Sequence, residues 1–326
     1  MNEFDFLKKL KQNFNFDLTG DDCAVLPFAN GTDLLVTADM LVEGIDFRLE
    51  WASPEDVGRK SLAVSLSDIA AMGGDAKWAL FSMGIPDRLW NEDFLFPFYN
   101  GINKLAQEFG VRIAGGDISR NPGPMVIDSI VVGSCPEDAA VLRSGAKEGD
   151  LICVTGPLGG AAGGLRILES GARGQPEPEF ESQEPVSRQL NPTPQLILGN
   201  ILRTRRLVTS MIDISDGLSS DLPHICERSG KGAVIDAALV PVDPNLEKID
   251  PELLLPFNSP LDAALNGGED FELLFTSPAA VRKEVEELGC CVIGRIVADP
   301  STLDITADGS SRRMRPSGYA HFGEDQ

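Results

Sequence analysis

Five short acidic clusters carry most of the chemistry available to this chain: GDD (20–22), TAD (37–39), SLSD (65–68), GGD (115–117) and DISD (213–216). Oxygen donors gathered in this way suit a hard divalent cation such as Mg²⁺. Each cluster stands beside small or polar residues, and three end apolar, strand-like runs: LLVTAD, VRIAGGD and SMIDISD. Aspartates scattered over a solvated surface would not track strand ends. The tips are therefore expected to converge on one edge of a sheet as a metal-and-phosphate site.

In ISDGLSSDL, Asp213, Ser215 and Asp216 fall at a strand-to-helix turn, with Gly217 letting the chain turn and the helix N-terminus offering N–H groups to an anion. A helix cap needs only one Asp or Ser. Two carboxylates and a hydroxyl within four residues point instead to metal plus phosphate. Asp68 falls inside a helical pattern among small apolar neighbours, where an unpaired carboxylate is costly. A buried salt bridge competes with a metal there, but the other clusters bring negative partners, and crowded carboxylates need cations.

AGGDISR ends a strand with two glycines that let backbone approach a ligand, with Asp117 at the tip and Arg120 nearby for phosphate. Taken alone, a tight turn explains this motif almost as well. TGPLGGAAGGL lacks the G-K-[ST] of a P-loop and the spacing of a dinucleotide fingerprint, so its glycines are assigned to helix packing. Neither His224 nor His321 has an obvious Ser or Cys partner for a hydrolytic triad. Phosphoryl transfer needs chiefly positioning and charge neutralisation, which metal-bound aspartates supply without a strong protein base.

The elements that must position these groups read as an α/β chain of α+β type. A short helical start is followed by strands at CAVLPF and LLVTAD, one or two helical segments over 53–72 with Ser53 as N-cap, the strand WALFSMGIP, a helix over 92–109, and strands at VRIAGG and MVIDSIVVGSC. The turn-rich RSGAKEGD separates two domains, 1–142 and 143–326. The second domain reads as LICVTG, a glycine-rich turn and helix, an acidic loop over 171–185, a helix after NPTPQ, the DISD unit, AVIDAALVPV, FELLFTS, a helix over 281–288 and CCVIGRIV.

Composition narrows the partners. The 326 residues are 42% hydrophobic and 24% charged, ordinary for a globular protein, and the net charge of −22 repels nucleic acids and anionic membranes. The six cysteines form no C-x-x-C pair and no zinc spacing, which marks them as reduced and structural. MNEFDFLKKLKQNF is too polar for a signal peptide, and no apolar run is long enough to span a bilayer, so the expected location is cytoplasmic.

Taken in order, GDDCAV, TADMLVEGIDF, GRKSLAVSLSDIAAMGG, AGGDISR, RSGAKEGD, DISDGLSSDL, NGGEDFELLFT and GYAHF resemble the thiamine-monophosphate kinases, within the superfamily of aminoimidazole ribonucleotide synthetase. The resemblance implies ATP-dependent phosphorylation of thiamine monophosphate to thiamine diphosphate by direct transfer. It also implies a homodimer whose first domains pair into a barrel-like core, with the ATP site in a cleft across the subunits. By position, Asp22, Thr37, Asp39, Asp68, Asp117, Asp213 and Asp216 match Mg²⁺ ligands, and Tyr99, Gly116, Asp117, Arg143 and Ser215 match nucleotide contacts. Glu269 and Tyr319 match substrate-side positions. Where many members read EGxHF this chain has Glu43-Gly44-Ile45-Asp46-Phe47, so Asp46 replaces a substrate-contacting histidine, and its charge would favour the thiazolium cation. Another ATP-dependent synthetase of the superfamily and a non-catalytic nucleotide-binding protein are the competing readings; several costly carboxylates argue against the latter.

Overall fold

Alternating burial along the first part of the chain builds a five-stranded sheet in the computed structural model, which describes residues 6, 9, 10, 13, 18–171 and 184–319. Its strands are β1 (Ala24–Pro27), β2 (Thr32–Val42), β3 (Asp75–Ile85), β4 (Arg112–Arg120) and β5 (Val126–Pro136), in the order β1-β2-β5-β3-β4. All pairings are antiparallel except β3 with β4. Leu35, Thr37 and Leu41 of β2 and Ile127, Ser129 and Val131 of β5 are buried on the inner face.

Against that face lies α1 (Pro54–Ala71). Ser53 and Asp56 cap it reciprocally: the Ser53 hydroxyl accepts from the Asp56 N–H at 3.2 Å, and the Asp56 carboxylate accepts from the Ser53 N–H at 2.9 Å. Leu62, Leu66 and Ile69 of α1 are fully buried. α2 (Glu92–Phe109) packs beside α1 and reaches β4.

The second sheet contains β6 (Leu151–Val154), β7 (Ser210–Asp213), β8 (Gly232–Asp236), β9 (Leu273–Ser277), β10 (Cys291–Val297), β11 (Leu303–Ala307) and β12 (Ser310–Arg313). Its order is β12-β11-β8-β10-β6-β9-β7, with only β8 and β11 parallel. The remaining helices are α3 (Gly160–Glu169), α4 (Glu184–Leu190), α5 (Leu196–Thr204), α6 (Leu218–Ser229), α7 (Pro260–Asn266) and α8 (Arg282–Glu287). Cys153, Met211, Leu273 and Phe275 join the core that holds α1. The alternate residues Ile152, Val154, Ile212 and Leu274 join a second core with Leu222 and Ile225 of α6. One core thus runs beneath both sheets, and α1, touching β2 and β5 on one side and β7 and α5 on the other, is the shared wall.

Three expectations are corrected. Thr37 and Asp39 lie in the middle of β2, because its ladder with β5 runs unbroken from Thr32 to Val42. Asp117 likewise is not a strand tip, since β4 continues in register with β3 through Arg120. Carboxylates therefore do not gather at one sheet edge but over the β2 face against α1. Helix α4 also takes up Glu184 and Pro185, which the acidic loop was expected to include. Most of that loop, most of the short helical start, His321 and the end of GYAHF lie outside the described residues.

Candidate metal and substrate site

Thr37 and Asp39, two apart on β2, face the same way, toward Ser65 and Asp68 of α1. Thr37 Oγ1 donates to Asp68, and Ser65 Oγ donates to Asp39 Oδ2 at 2.7 Å. Asp22 arrives from the bend before β1 and Asp213 from the end of β7, where Ser67 Oγ donates to it at 2.7 Å. Carboxylate oxygens of Asp22, Asp68 and Asp213 lie within 4.8 Å of one another. Arg143 forks onto Asp22, with Nη2–Oδ1 at 2.6 Å and Nε–Oδ2 at 3.3 Å.

This set holds more negative charge than one guanidinium can balance. Burial first, then repulsion from Asp39, Asp213 and Asp22, pushes Asp68 well above the ordinary carboxylate range. Burial and Asp22 push Asp213 up to about 7, and burial raises Asp39 and Asp22, the latter against the pull of Arg143. Hard oxygen donors with uncompensated charge fit a divalent cation.

The four-residue DISD turn joins this cluster to a second one. The Glu269 N–H donates to the Ser215 carbonyl at 2.7 Å, and the Tyr319 N–H to the Asp216 carbonyl at 3.2 Å. Burial, then the charges of Asp46, Glu269 and Asp216, hold the Tyr319 phenol above its usual range. Asp46 also closes its own turn, its Oδ2 accepting from the Val42 N–H at 2.7 Å.

Sequence reasoning passed over three residues. Lys60 of α1 is buried and pairs with Glu269 at 2.7 Å. Asp221 is buried and accepts from the Asp216 and Gly217 N–H groups at 3.2 and 3.1 Å, so these two N–H groups are engaged by protein. Asp270 accepts from the Gly159 and Ala161 N–H groups at 2.6 and 3.1 Å, which puts a carboxylate where the glycine-rich loop would have received a phosphate. The loop's glycines serve packing: a Cβ on Gly164 would lie 2.0 Å from the Pro185 carbonyl oxygen, so α3 and α4 meet backbone to backbone. The signal for these residues was an acid or lysine inside an apolar run, which reads equally as a buried ion pair.

Burial outweighs both N–H bonds and raises Asp270 to about 7. The folded state then holds a proton that the unfolded state releases between about pH 4 and 7, so this group's contribution to stability falls as pH rises through that window and is constant above it. Asp270→Asn should flatten the decline in unfolding free energy over that range relative to the parent, by up to about 1.4 kcal/mol per pH unit, and with it the decline in melting temperature. Parallel melting curves against pH for the two proteins would reject the assignment.

The remaining predicted site residues lie elsewhere in the chain. Gly116 and Asp117 are on β4, an outer edge strand separated from β2 by β5 and β3, and Tyr99 is half-exposed on α2 against Phe98. Gly116 has φ +154°, and a Cβ there would lie 1.9 Å from the Phe81 carbonyl oxygen, so only glycine fits. Candidate nucleophiles are suppressed: burial raises Cys23, Cys153 and Cys290, and burial together with Arg143 lowers His224. No helix among the described residues is long and apolar enough to cross a membrane.

Residues 20–135 match the family described as AIR synthase related protein, N-terminal domain, and residues 147–305 match its C-terminal domain. The thiamine-monophosphate kinase of Escherichia coli (strain K12) is 38% identical over 310 residues, covering 93% of this chain and 91% of that protein. The thiamine-monophosphate kinase of Bacillus subtilis (strain 168) is 32% identical over 335 residues, covering 99% of this chain and 100% of its own. Among solved structures, AaThiL complexed with AMPPCP and TMP superposes with a TM-score of 0.85 at 30% identity, covering 98% of this chain and 97% of that one.

Proposed function

This chain belongs to the thiamine-monophosphate kinase family, phosphorylating thiamine monophosphate with ATP, and we propose that it does so by direct transfer at the joined clusters described above. The observation that carries this reading is the DISD turn, which links a buried, charge-excess carboxylate cluster to the Asp46, Glu269 and Tyr319 group. Measuring ADP release by the purified protein with and without thiamine monophosphate tests it. Release that does not depend on thiamine monophosphate would sink it.

Asp22, Thr37, Asp39, Asp68, Asp117, Asp213 and Asp216 are the residues we propose hold Mg²⁺, which when bound neutralises phosphate charge. Arg143 adds a guanidinium fork, Ser215 a hydroxyl, Gly116 its backbone and Tyr99 an aromatic face for the nucleotide. Asp46, Glu269 and Tyr319 orient the thiamine moiety, with carboxylates suited to its amine and its cationic ring. A phosphate monoester has its second pKa near 6, so the attacking oxygen is already ionised at neutral pH. It forms a bond to the γ-phosphorus as the bond to the β-bridging oxygen breaks, and ADP leaves. No protein base or nucleophile is required. Incubation with γ-labelled ATP should therefore leave the protein unlabelled; a labelled protein competent to pass its phosphate to thiamine monophosphate would contradict direct transfer.

Asp46→Ala should weaken thiamine monophosphate binding by about 1–3 kcal/mol with ATP binding unchanged, and Asp46→His should recover part of that loss. Calorimetry in a non-hydrolysable ATP analogue reads both. Equal affinities for the parent and Asp46→Ala would remove Asp46 from the substrate site.

We propose further that the protein is a homodimer and that the division between its two domains falls at 142/143. Exposed Met40, Trp78, Ile113 and Ile118 on the first sheet support an interface there. Sedimentation analysis of the purified protein checks it; a monomer across micromolar concentrations would refute it.

A further inference from the structure

Glu269 is held from three directions, two of them by residues that have no assigned role. Its Oε1 meets the Lys60 ammonium at 2.7 Å, its Oε2 accepts from the Gln189 side-chain amide, and its own N–H is tied to Ser215. Its backbone has φ +66°, a conformation that a non-glycine residue keeps only where the surroundings impose it. Lys60 is 4% exposed and Gln189 5% exposed, so both polar groups have been taken out of water to make these contacts. Lys60 also reaches the Asp46 carbonyl at 3.4 Å. One buried ammonium on α1 therefore touches both loops that carry substrate-side carboxylates, one from each sheet. Gln189 comes from α4, whose neighbour Asn191 donates to Asp56 at the start of α1, at 3.0 Å. Among the described residues, Gln189 Oε1 is buried without a hydrogen-bond partner, a cost accepted to keep the amide on Glu269.

We propose that Lys60 and Gln189 are positioning residues that clamp Glu269, and that Lys60 fixes the gap between Glu269 and Asp46 and so sets specificity for a cationic, amine-bearing substrate. This rests on the reading of Glu269 and Asp46 as substrate-side groups. Lys60 offers a point charge that two oxygens share, and Gln189 offers a directional N–H, so together they fix both the place and the plane of one carboxylate. Neither touches the carboxylate cluster that we propose binds metal, so their effect should be confined to the thiamine side.

The test measures thiamine monophosphate affinity by calorimetry, with a non-hydrolysable ATP analogue present, alongside steady-state kinetics. Lys60→Met and Gln189→Met should each raise the Kd and KM for thiamine monophosphate by about 10-fold or more, the scale of one charge-assisted hydrogen bond, with the KM for ATP unchanged. Lys60→Arg should recover part of the loss. Because Gln189 acts through Glu269, Gln189→Met combined with Glu269→Gln should bind no more weakly than Glu269→Gln alone. Unchanged affinity in both single variants, or fully additive losses in the double variant, would overturn the clamp. Equal deterioration of both KM values and kcat would also overturn it, as the mark of a merely structural role. Failure of the parent protein to bind thiamine monophosphate would instead overturn the substrate reading.

Discussion

Asp68→Asn is expected to lower kcat by about 10²-fold or more while raising the melting temperature of the metal-free protein. The two effects have one cause. Asp68 is raised well above the ordinary carboxylate range because burial and three neighbouring aspartates disfavour its charge. An amide of the same shape removes that repulsion yet still accepts from Thr37, so packing is kept and strain is lost. Catalysis loses a ligand for the cation we propose there. Addition of Mg²⁺ should stabilise the parent more than the variant, since a ligand bound only by the folded state shifts unfolding by mass action. Thermal melts with and without Mg²⁺, beside turnover assays, separate these outcomes. A variant with near-parental turnover at saturating Mg²⁺ would remove Asp68 from the site.

Asp117→Asn and Asp216→Asn should each abolish most activity, and co-expression of the two variants should restore about a quarter of the parental rate. Asp216 ends the DISD turn, near Tyr319 and Glu269, whereas Asp117 is on an exposed edge strand three places from β2. Three strand spacings amount to about 14 Å, which keeps Asp117 from sharing a cation with Thr37 and Asp39 of β2 within one chain. If the site spans two subunits, a mixed dimer joins an intact Asp117 from one chain to an intact Asp216 from the other, once per dimer. Half of randomly paired dimers are mixed. Absence of any recovery, with mixed dimers demonstrated by differential tagging, would confine the site to one chain.

Much of this protein is legible in its residues alone. Ser53-Pro54-x-Asp56 specifies the start of α1, because a capping hydroxyl and a proline at the first turn are local devices that need no tertiary partner. Asp213 at the end of β7 and Gly217 before α6 follow from a strand-like run broken by a turn signal. The β11–β12 hairpin was not among the expected elements although Asp308-Gly309 marks it: both residues have positive φ, at 49° and 76°, as a two-residue hairpin turn requires.

The chain's residue types by themselves determined that carboxylates would outnumber their cations and that phosphate chemistry was the natural use for them. Tertiary structure alone decided which carboxylates meet. Thr37 and Asp39 reach Asp68 because the pleat of β2 sends alternate residues toward α1, and Asp22 and Asp213 reach it because α1 is the wall shared by both sheets. Lys60 and Gln189 show the same limit from the other side. A lysine in the helical run GRKSLAV and a glutamine after an acidic stretch carry no local mark of function, since burial and partnership are decided by elements distant in sequence.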